Sequence, residues 1–489
     1  MSEVRSARSP GRGTATDDTR LSRGRRLGVL AICCMSLFIV GIDSTGVNLA
    51  IPSIGRHLGA SGSQLQWVID AYLLVLASLL MLSGSTADRL GRRRVFQVGL
   101  VIFGIGSICC SLAPDPGVLI GARTLQAVGG SMLNPVAMSI ITNTFREPRE
   151  RAQAIGMWGG VIGLSMALGP VVGGALVAGI GWRAIFWINV PIVAAAVLLT
   201  QLFVPESRAD RVRRLDPVAQ GLVIVMLAAI TYAIIEGGSR GWGSTMIVAC
   251  FVLTVVAAVA LIGWELHREE PLLDPRFFRS IPFSGAVVSA VVGFCAMAGF
   301  LFLNTLYLQD VRGMSALHAG LMTLPMAVSV ALFGPVSGRI VGDRGVRVPM
   351  YISAIGIGLS AVMLLRLDNN TSLLYLGVAY LFFGIGFGML NAPITNSAMS
   401  GMPRQQAGVA AAIASTSRQV GGSLGVAILP AIAFGRMHGD MAHGLAQATH
   451  LAWFVMLGCA ALLFLLGFAV TGRRALRSSQ RAAAELGAS

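Results

Sequence analysis

The chain has 489 residues, of which 55% are hydrophobic and 12% charged, and its mean hydropathy is +0.74; an ordinary soluble domain is excluded. Its net charge of +15 comes from basic residues dispersed in short clusters between apolar runs, the pattern of loops in a multi-pass membrane protein rather than of a nucleic-acid-binding surface. Every basic residue is arginine, so the chain holds no lysine-bearing phosphate loop and no ATP-hydrolysing engine of that kind.

In chain order, residues 1–26 are rich in Ser, Gly and Arg and are expected to form a disordered basic tail. The first apolar run, 27–50, is too long for a signal-peptide core and carries Asp43, so it is expected to remain as a span. At about 20 residues per crossing, further spans are expected at 66–83, 95–113, 117–141, 152–178, 184–204, 217–236, 245–264, 283–308, 316–341, 348–366, 373–398, 406–434 and 450–472, fourteen in all. Alternate connections carry the arginine clusters, among them Arg89-Arg92-Arg93-Arg94, Arg146-Arg149-Arg151, Arg208-Arg211-Arg213-Arg214, Arg268-Arg276-Arg279, Arg344-Arg347 and Arg404. The positive-inside bias then places both termini in the cytoplasm, as an even number of spans requires. Trp67, Trp182, Trp187, Trp242 and Trp453 fall at the outer interface on this reading, Trp158 and Trp264 at the inner one. The seven cysteines lie inside apolar runs without metal-ligand spacing, and the six histidines fall near or outside span ends; neither metal nor a buried histidine relay is expected.

An internal repeat divides the chain. Ser83–Arg94 (SGSTADRLGRRR) aligns with Ser337–Val348 (SGRIVGDRGVRV), and GSMLNP at Gly130–Pro135 with FGMLNAP at Phe387–Pro393. The expected fold is an all-α integral membrane protein: six-helix bundles at 27–204 and 283–472, related by a pseudo-two-fold axis, with two extra central helices in the linker 205–282 and a second tail at 473–489. Such repeats around a midplane site are a transporter architecture.

Three intramembrane ionisable residues stand out. Asp43, past the middle of the first span, is costly to ionise there, so desolvation is expected to raise its pKa and make proton uptake feasible near neutral pH. The alternative is a helix–helix hydrogen bond to a polar neighbour such as Asn48. Asp70, one turn inside the second span, either attracts cationic substrate from a cavity or reaches the interface. Arg123 cannot discharge its proton and must find carboxylates, carbonyls or water; Gln126 shares its helix face. Gly159–Leu176 (GGVIGLSMALGPVVGGAL) sets bare backbone along one helix face and bends at Gly169-Pro170, a pattern that permits close backbone packing in lipid.

Taken together, these segments resemble the major facilitator superfamily, and within it the fourteen-span drug:proton antiporters used in multidrug and antibiotic efflux. Ile42–Pro52 (IDSTGVNLAIP) is similar to the first-span signature; Gly84, Asp88, Arg89, Gly91 and Arg92 resemble the loop signature between spans two and three; Arg123, Gln126, Gly129 and Gly130 match the fourth-span pattern, with Ala127 in place of a usual glycine. Gly163, Gly169, Pro170, Gly173 and Gly174 match the fifth-span antiporter signature, and Trp182–Pro191 and Arg418–Ala427 resemble patterns of the fourteen-span group. The resemblance implies a proton-coupled exporter of hydrophobic or cationic small molecules in the plasma membrane, a monomer driven by the proton gradient without cofactor, metal, nucleic acid or enzymatic activity. It implies a role in proton transfer for Arg123; Asp43, Asp70, Arg123 and Gln126 are the candidate coupling residues, although the family position of Asp70 is often uncharged, and Asn48, Asn134 and Asn391 are the candidate polar residues of the cavity. The loop of Gly84–Arg92 would act as a conformational latch and the fifth span as a seal. A dedicated exporter of an endogenous metabolite or antibiotic, a proton-coupled importer and a membrane sensor are the competing readings.

Overall fold

Once water is removed, an apolar segment can satisfy its backbone only within itself, and each expected span becomes a helix for that reason. The computed structural model describes residues 22–145, 147–208, 216–268, 275–400, 407–437 and 441–487, and among them there is no strand. Of the expected tail, 1–21 lie outside the described residues. Residues 23–26 are instead the first turn of a helix whose N-terminus is capped by the Ser22 hydroxyl.

The first set of helices is α1 (Arg23–Leu58), α2 (Gly62–Leu90), α3 (Arg92–Leu112), α4 (Pro116–Thr144), α5 (Pro148–Gly179) and a broken segment of α6 (Ala184–Trp187) and α7 (Asn189–Phe203). Then come α8 (Pro217–Arg240), α9 (Thr245–Leu266) and a 3-10 turn, Pro275–Arg279. The second set starts with α10 (Ile281–Leu306), which widens into a π-turn at Tyr307–Val311, and continues through α11 (Ala316–Met322), α12 (Leu324–Arg344) and α13 (Arg347–Leu364). It ends with α14 (Leu373–Gly388), α15 (Asn391–Met399), α16 (Ala407–Phe434), α17 (Met441–Ala448) and α18 (His450–Val470), followed by α19 (Arg473–Gly487). Eleven helices among the described residues are long and apolar enough to cross a membrane. α4, α5 and α16 are not among those eleven, although they run 29, 32 and 28 residues.

The internal repeat has a structural counterpart. Gly91 and Gly345, aligned in the sequence, each end a helix with positive φ (107° and 76°) and donate their N–H four residues back, to Ala87 and Val341. A side chain is strained at such φ, which is why glycine stands there in both copies. Of the tryptophans assigned to the outer interface, Trp182 and Trp453 are buried within the protein, each packed against core aromatics where its ring fills volume.

The two sets meet at the end opposite the N-terminus of α1, here the distal end. Arg56 pairs with Asp310 at 2.9 Å, Gln309 donates to the Leu49 carbonyl at 2.9 Å, and Gln66 donates to the carbonyls of Val426 and Ala427 at 3.0 and 3.2 Å. Backbone approaches backbone where α5 crosses α11: a Cβ on Gly174 would strike Ala316, and one on Gly320 would strike Pro170. The extra pair α8–α9 is central in sequence but peripheral in space. α8 lies along one side of the seam, Gln220 reaching the Ser78 carbonyl of α2 and Thr231 sharing a 3.4 Å contact with Ser423 of α16. Beyond it α9 exposes a row of valines that includes Val252, Val255 and Val259.

The α5–α11 seam gives a direct expectation. Gly174→Val should part the two backbones and raise the rate at which a polar maleimide labels a cysteine placed at Leu317. Gly121→Val, where a Cβ meets nothing within 4 Å, should leave that rate unchanged.

Candidate functional site

Five helices of the first set converge on Asp43, and glycines let them do so. α3 and α4 touch backbone to backbone because Gly106 lies against the Gln126 backbone and Gly129 against Phe103, where any Cβ would collide. That approach sets Ser107 of α3 beside Gln126 of α4, and the break at Ile188 between α6 and α7 turns Asn189 inward to the same point.

Asp43 is fully buried and Arg123 is 1% exposed. The carboxylate takes a charge-assisted hydrogen bond from Arg123 Nη1 at 2.5 Å on one oxygen, and on the other the amides of Gln126 at 2.9 Å and Asn189 at 3.1 Å. Gln126 returns its own carbonyl to Arg123 Nη1 at 2.6 Å and donates to Ser107 Oγ at 2.9 Å. Arg123 Nε donates to the Val68 carbonyl of α2 at 3.1 Å, and the guanidinium lies 4.1 Å from the centre of the Tyr72 ring and 5.7 Å from that of Phe186. A buried charge survives only if paired and hydrogen-bonded, and here both partners are. Protonating the carboxylate would leave the guanidinium without its counter-charge, so this arrangement can convert proton arrival into a local rearrangement.

The fold brings Asp43, Arg123 and Gln126 into one cluster, and Asp70 is not in it. Two residues from both Val68 and Tyr72, it points from the other side of α2 towards Ser423 of α16, fully buried, with neither carboxylate oxygen in a hydrogen bond of good geometry. Asn48 is not Asp43's partner either: its amide donates back to the carbonyls of Ser44 and Thr45 in its own helix. Asn134 and Asn391 are half-buried, and Asn391 opens α15 just after the break that follows α14. Sequence reading missed Asn189, Ser107 and Tyr72. The first is an amide in an otherwise apolar INVP run, and that polarity was its signal; the serine and tyrosine give none until α3 and α2 are placed.

Across the break between α2 and α3, Asp88 accepts from Arg92 at 3.0 Å. The loop is tied to the end of α7 by a residue not singled out from sequence, Glu206, whose carboxylate accepts the Arg93 N–H at 3.1 Å and lies beside Gly91 and Arg94. Arg92 N–H also donates to the Ser207 carbonyl at 2.9 Å. Arg89 is exposed on the last turn of α2, and Gly84 faces Pro135 of α4.

The fifth-span glycines divide between two partners. Gly169 and Gly173 face Thr45 and Gly46 of α1, within the first set of helices, so the bare strip there is packing inside one set rather than across the seam. Gly174 and Pro170 make the contact with α11. Gly163 lies within α5.

Residues 33–426 match the model of the Major Facilitator Superfamily, and the chain belongs to that family of membrane transport proteins. It is 35% identical over 398 residues, 81% of this chain and 74% of the other, to the multidrug resistance protein Stp of Mycobacterium tuberculosis. It is 34% identical over 426 residues, 86% of this chain and 84% of the other, to the puromycin resistance protein pur8 of Streptomyces alboniger. Among solved structures, the fold is similar to a partially occluded inward-open conformation of the xylose transporter XylE from E. coli, with a TM-score of 0.64, 15% identity, and 92% and 98% of the two chains covered.

The cluster's energetics can be tested without transport. Arg123→Leu should strand a buried carboxylate and cost about 3–5 kcal/mol of stability, read as a fall in the thermal unfolding midpoint in detergent. Combining it with Asp43→Asn should recover a large part of that loss. Additive losses would mean that the two residues do not form an energetic unit.

Proposed function

We propose that this chain is a proton-coupled antiporter that exports hydrophobic or cationic small molecules, drugs and antibiotics among them, by alternating access. The observation that carries the reading is the fully buried Asp43–Arg123 pair, a neutralisable acid holding an arginine that cannot be neutralised. The relatives named for multidrug and puromycin resistance support the substrate class. In this reading α4, α5 and α16 join the eleven apolar helices to give fourteen spans, with bundles at 27–204 and 283–472 and the linker helices of 205–282 beside them. The arginine-rich end that carries Arg25, Arg92, Arg93 and Arg344 faces the cytoplasm. The closed distal seam then faces outward, and the conformation is inward-facing. The protein works as a monomer and needs no cofactor beyond the gradient.

The coupling route runs through α1. Asp43 and Gly46 are one turn apart on α1, Gly46 lies against Gly169 and Gly173 of α5, and the next residue, Gly174, lies against Ala316 across the seam. A proton taken up on Asp43 in the outward-open state releases Arg123 and Gln126, loosens α1 from α4 and α7, and through the α1–α5 contact biases the seam to close again, so that the proton is carried inward and given up when substrate binds from the cytoplasm. Outward opening exposes substrate to the exterior while the proton site refills. Asp70, at the α2–α16 seam, is assigned to sensing the same rearrangement, and Asn48, Asn134 and Asn391 to the polar part of the cavity.

In a pump-deficient host, cells expressing the chain should expel ethidium, and a protonophore should abolish that efflux. Asp43→Asn should lose gradient-driven efflux while still exchanging dye down its own gradient in vesicles. Export by Asp43→Asn with an unchanged pH dependence would remove the residue from coupling.

A further inference from the structure

Arg418 stands on α16, away from the Asp43 cluster, and the protein supplies it with very little. Its Nη2 donates to Thr395 Oγ1 of α15 at 2.7 Å, its one hydrogen bond among the described residues, and Nε is buried without a partner. A guanidinium carries five N–H donors and a charge it cannot discharge, yet no carboxylate among the described residues pairs with this one. The sequence gives the reason: no acidic residue stands between Asp368 and Asp440, so α14, α15 and α16 have none to offer. Arg123, by contrast, has a carboxylate, an amide carbonyl, a backbone carbonyl and two aromatic rings. A half-buried guanidinium without a counter-charge costs free energy that the fold does not recover, which points to a partner from outside the chain.

The position of Arg418 says where that partner lies. α16 looks to the first set of helices at Gly422, where a Cβ would lie 3.5 Å from Leu73 of α2, and Arg418 is one turn earlier on the same face. The closed part of the seam holds α16 at the carbonyls of Val426 and Ala427. Arg418 is about 12 Å short of that point along the helix, on the side away from the distal end. Its partner Thr395 is exposed, Asn396 beside it is exposed, and Asn391 one turn back is half-buried. Lipid-facing edges in this protein are apolar, as Phe454, Leu465 and Phe468 of α18 are, so this polar edge of α15 faces the space between the two sets. Thr395 donates its own proton to the Asn391 carbonyl at 3.1 Å. Its oxygen is thereby fixed as an acceptor and holds the outer edge of the guanidinium at that space.

We propose that Arg418 is a specificity-determining residue of the substrate cavity and takes the carboxylate of an amphiphilic substrate on the guanidinium edge that Thr395 holds in place. The planar fork matches the two oxygens of a carboxylate, and pairing there supplies the counter-charge that the chain lacks. The assignment rests on the exporter reading, which makes the space between the two sets the substrate path. To hydrophobic and cationic molecules it adds those that also carry an acid group.

The test measures binding to the purified full-length protein in neutral detergent, with no gradient, by fluorescence anisotropy of two dyes. At neutral pH rhodamine B carries an ionised carboxylate beside its cationic ring system, and its ethyl ester, of nearly the same shape, carries only the cation. The unaltered protein should bind rhodamine B more tightly than the ester. Arg418→Gln should weaken rhodamine B about tenfold and the ester far less, so that the preference disappears. Arg418→Lys, which keeps the charge but not the fork, should retain part of it. Rhodamine B bound no more tightly than the ester by the unaltered protein would overturn the proposal. So would an equal weakening of both dyes by Arg418→Gln, which would give the residue a structural role. The result is separate from that of coupling: efflux that survives a protonophore would remove the proton-antiport reading and leave the dye preference as it stands.

Discussion

A carboxylate and a guanidinium, both removed from solvent, meet at 2.5 Å in the first set of helices, and the surrounding packing follows from the need to keep them satisfied. Neither charge could be buried alone, and a simple ion pair would leave lone pairs and N–H groups without partners. Gln126, Asn189, Ser107 and the Val68 carbonyl supply them, and Tyr72 closes one side of the guanidinium. Each of these comes from a different turn of helix, so α1, α2, α3, α4 and α7 are held in one register by a single polar centre. Breaking a buried pair by removing one member costs about 3–5 kcal/mol, a large share of the stability of any fold, so a proton that removes the charge of Asp43 acts on all five helices at once.

Glycine carries that effect outward. In lipid no hydrophobic drive brings helices together, so close contacts depend on small residues that let backbones touch. α3 meets α4 through Gly106 and Gly129, α1 meets α5 through Gly46, Gly169 and Gly173, and α5 meets α11 through Gly174 and Gly320. Contacts of this kind have little slack, so a shift of α1 would be passed to α5. The Pro170 carbonyl lies where the α5–α11 contact forms, and a proline there removes one internal hydrogen bond, which lets the helix flex at the point of contact. The seam is further held by the Arg56–Asp310 pair, whose arginine is 59% exposed; an exposed pair of this kind contributes little to stability and is correspondingly easy to open.

Much of this was legible in the sequence because the features involved are local and chemically unusual. Apolar runs located the helices, although α1 and α2 run eight and seven residues past their expected ends and the expected spans 184–204, 316–341 and 373–398 are each broken in two; the repeated glycines Gly91 and Gly345 occupy equivalent helix ends. A lone aspartate and a lone arginine in separate apolar runs each demanded a partner, but that they pair with one another is visible only in the packed bundle. What could not be read was which face of a helix meets which neighbour. Asp70, Asp43 and Trp182 are all residues that composition alone puts at a cavity or an interface, yet only packing decides that Asp70 looks to α16 and that Trp182 is buried. Asn48 is near Asp43 in sequence but spends its donors on its own helix, because a short amide inside a helix reaches the carbonyls of the preceding turn more readily than a neighbouring helix. Glu206 sits in a connection with no periodic pattern, and its role at the α2–α3 loop is visible only once the end of α7 is brought alongside.

The account rests on Asp43 exchanging a proton as the bundle changes state, and the most direct measurement is of that proton. Purified protein in weakly buffered detergent, mixed with a cationic dye such as ethidium, should release protons to a pH indicator near neutral pH as the dye binds. Asp43→Asn should bind the dye and release none. Release of the same size from Asp43→Asn would contradict the account and move the coupling proton to another group.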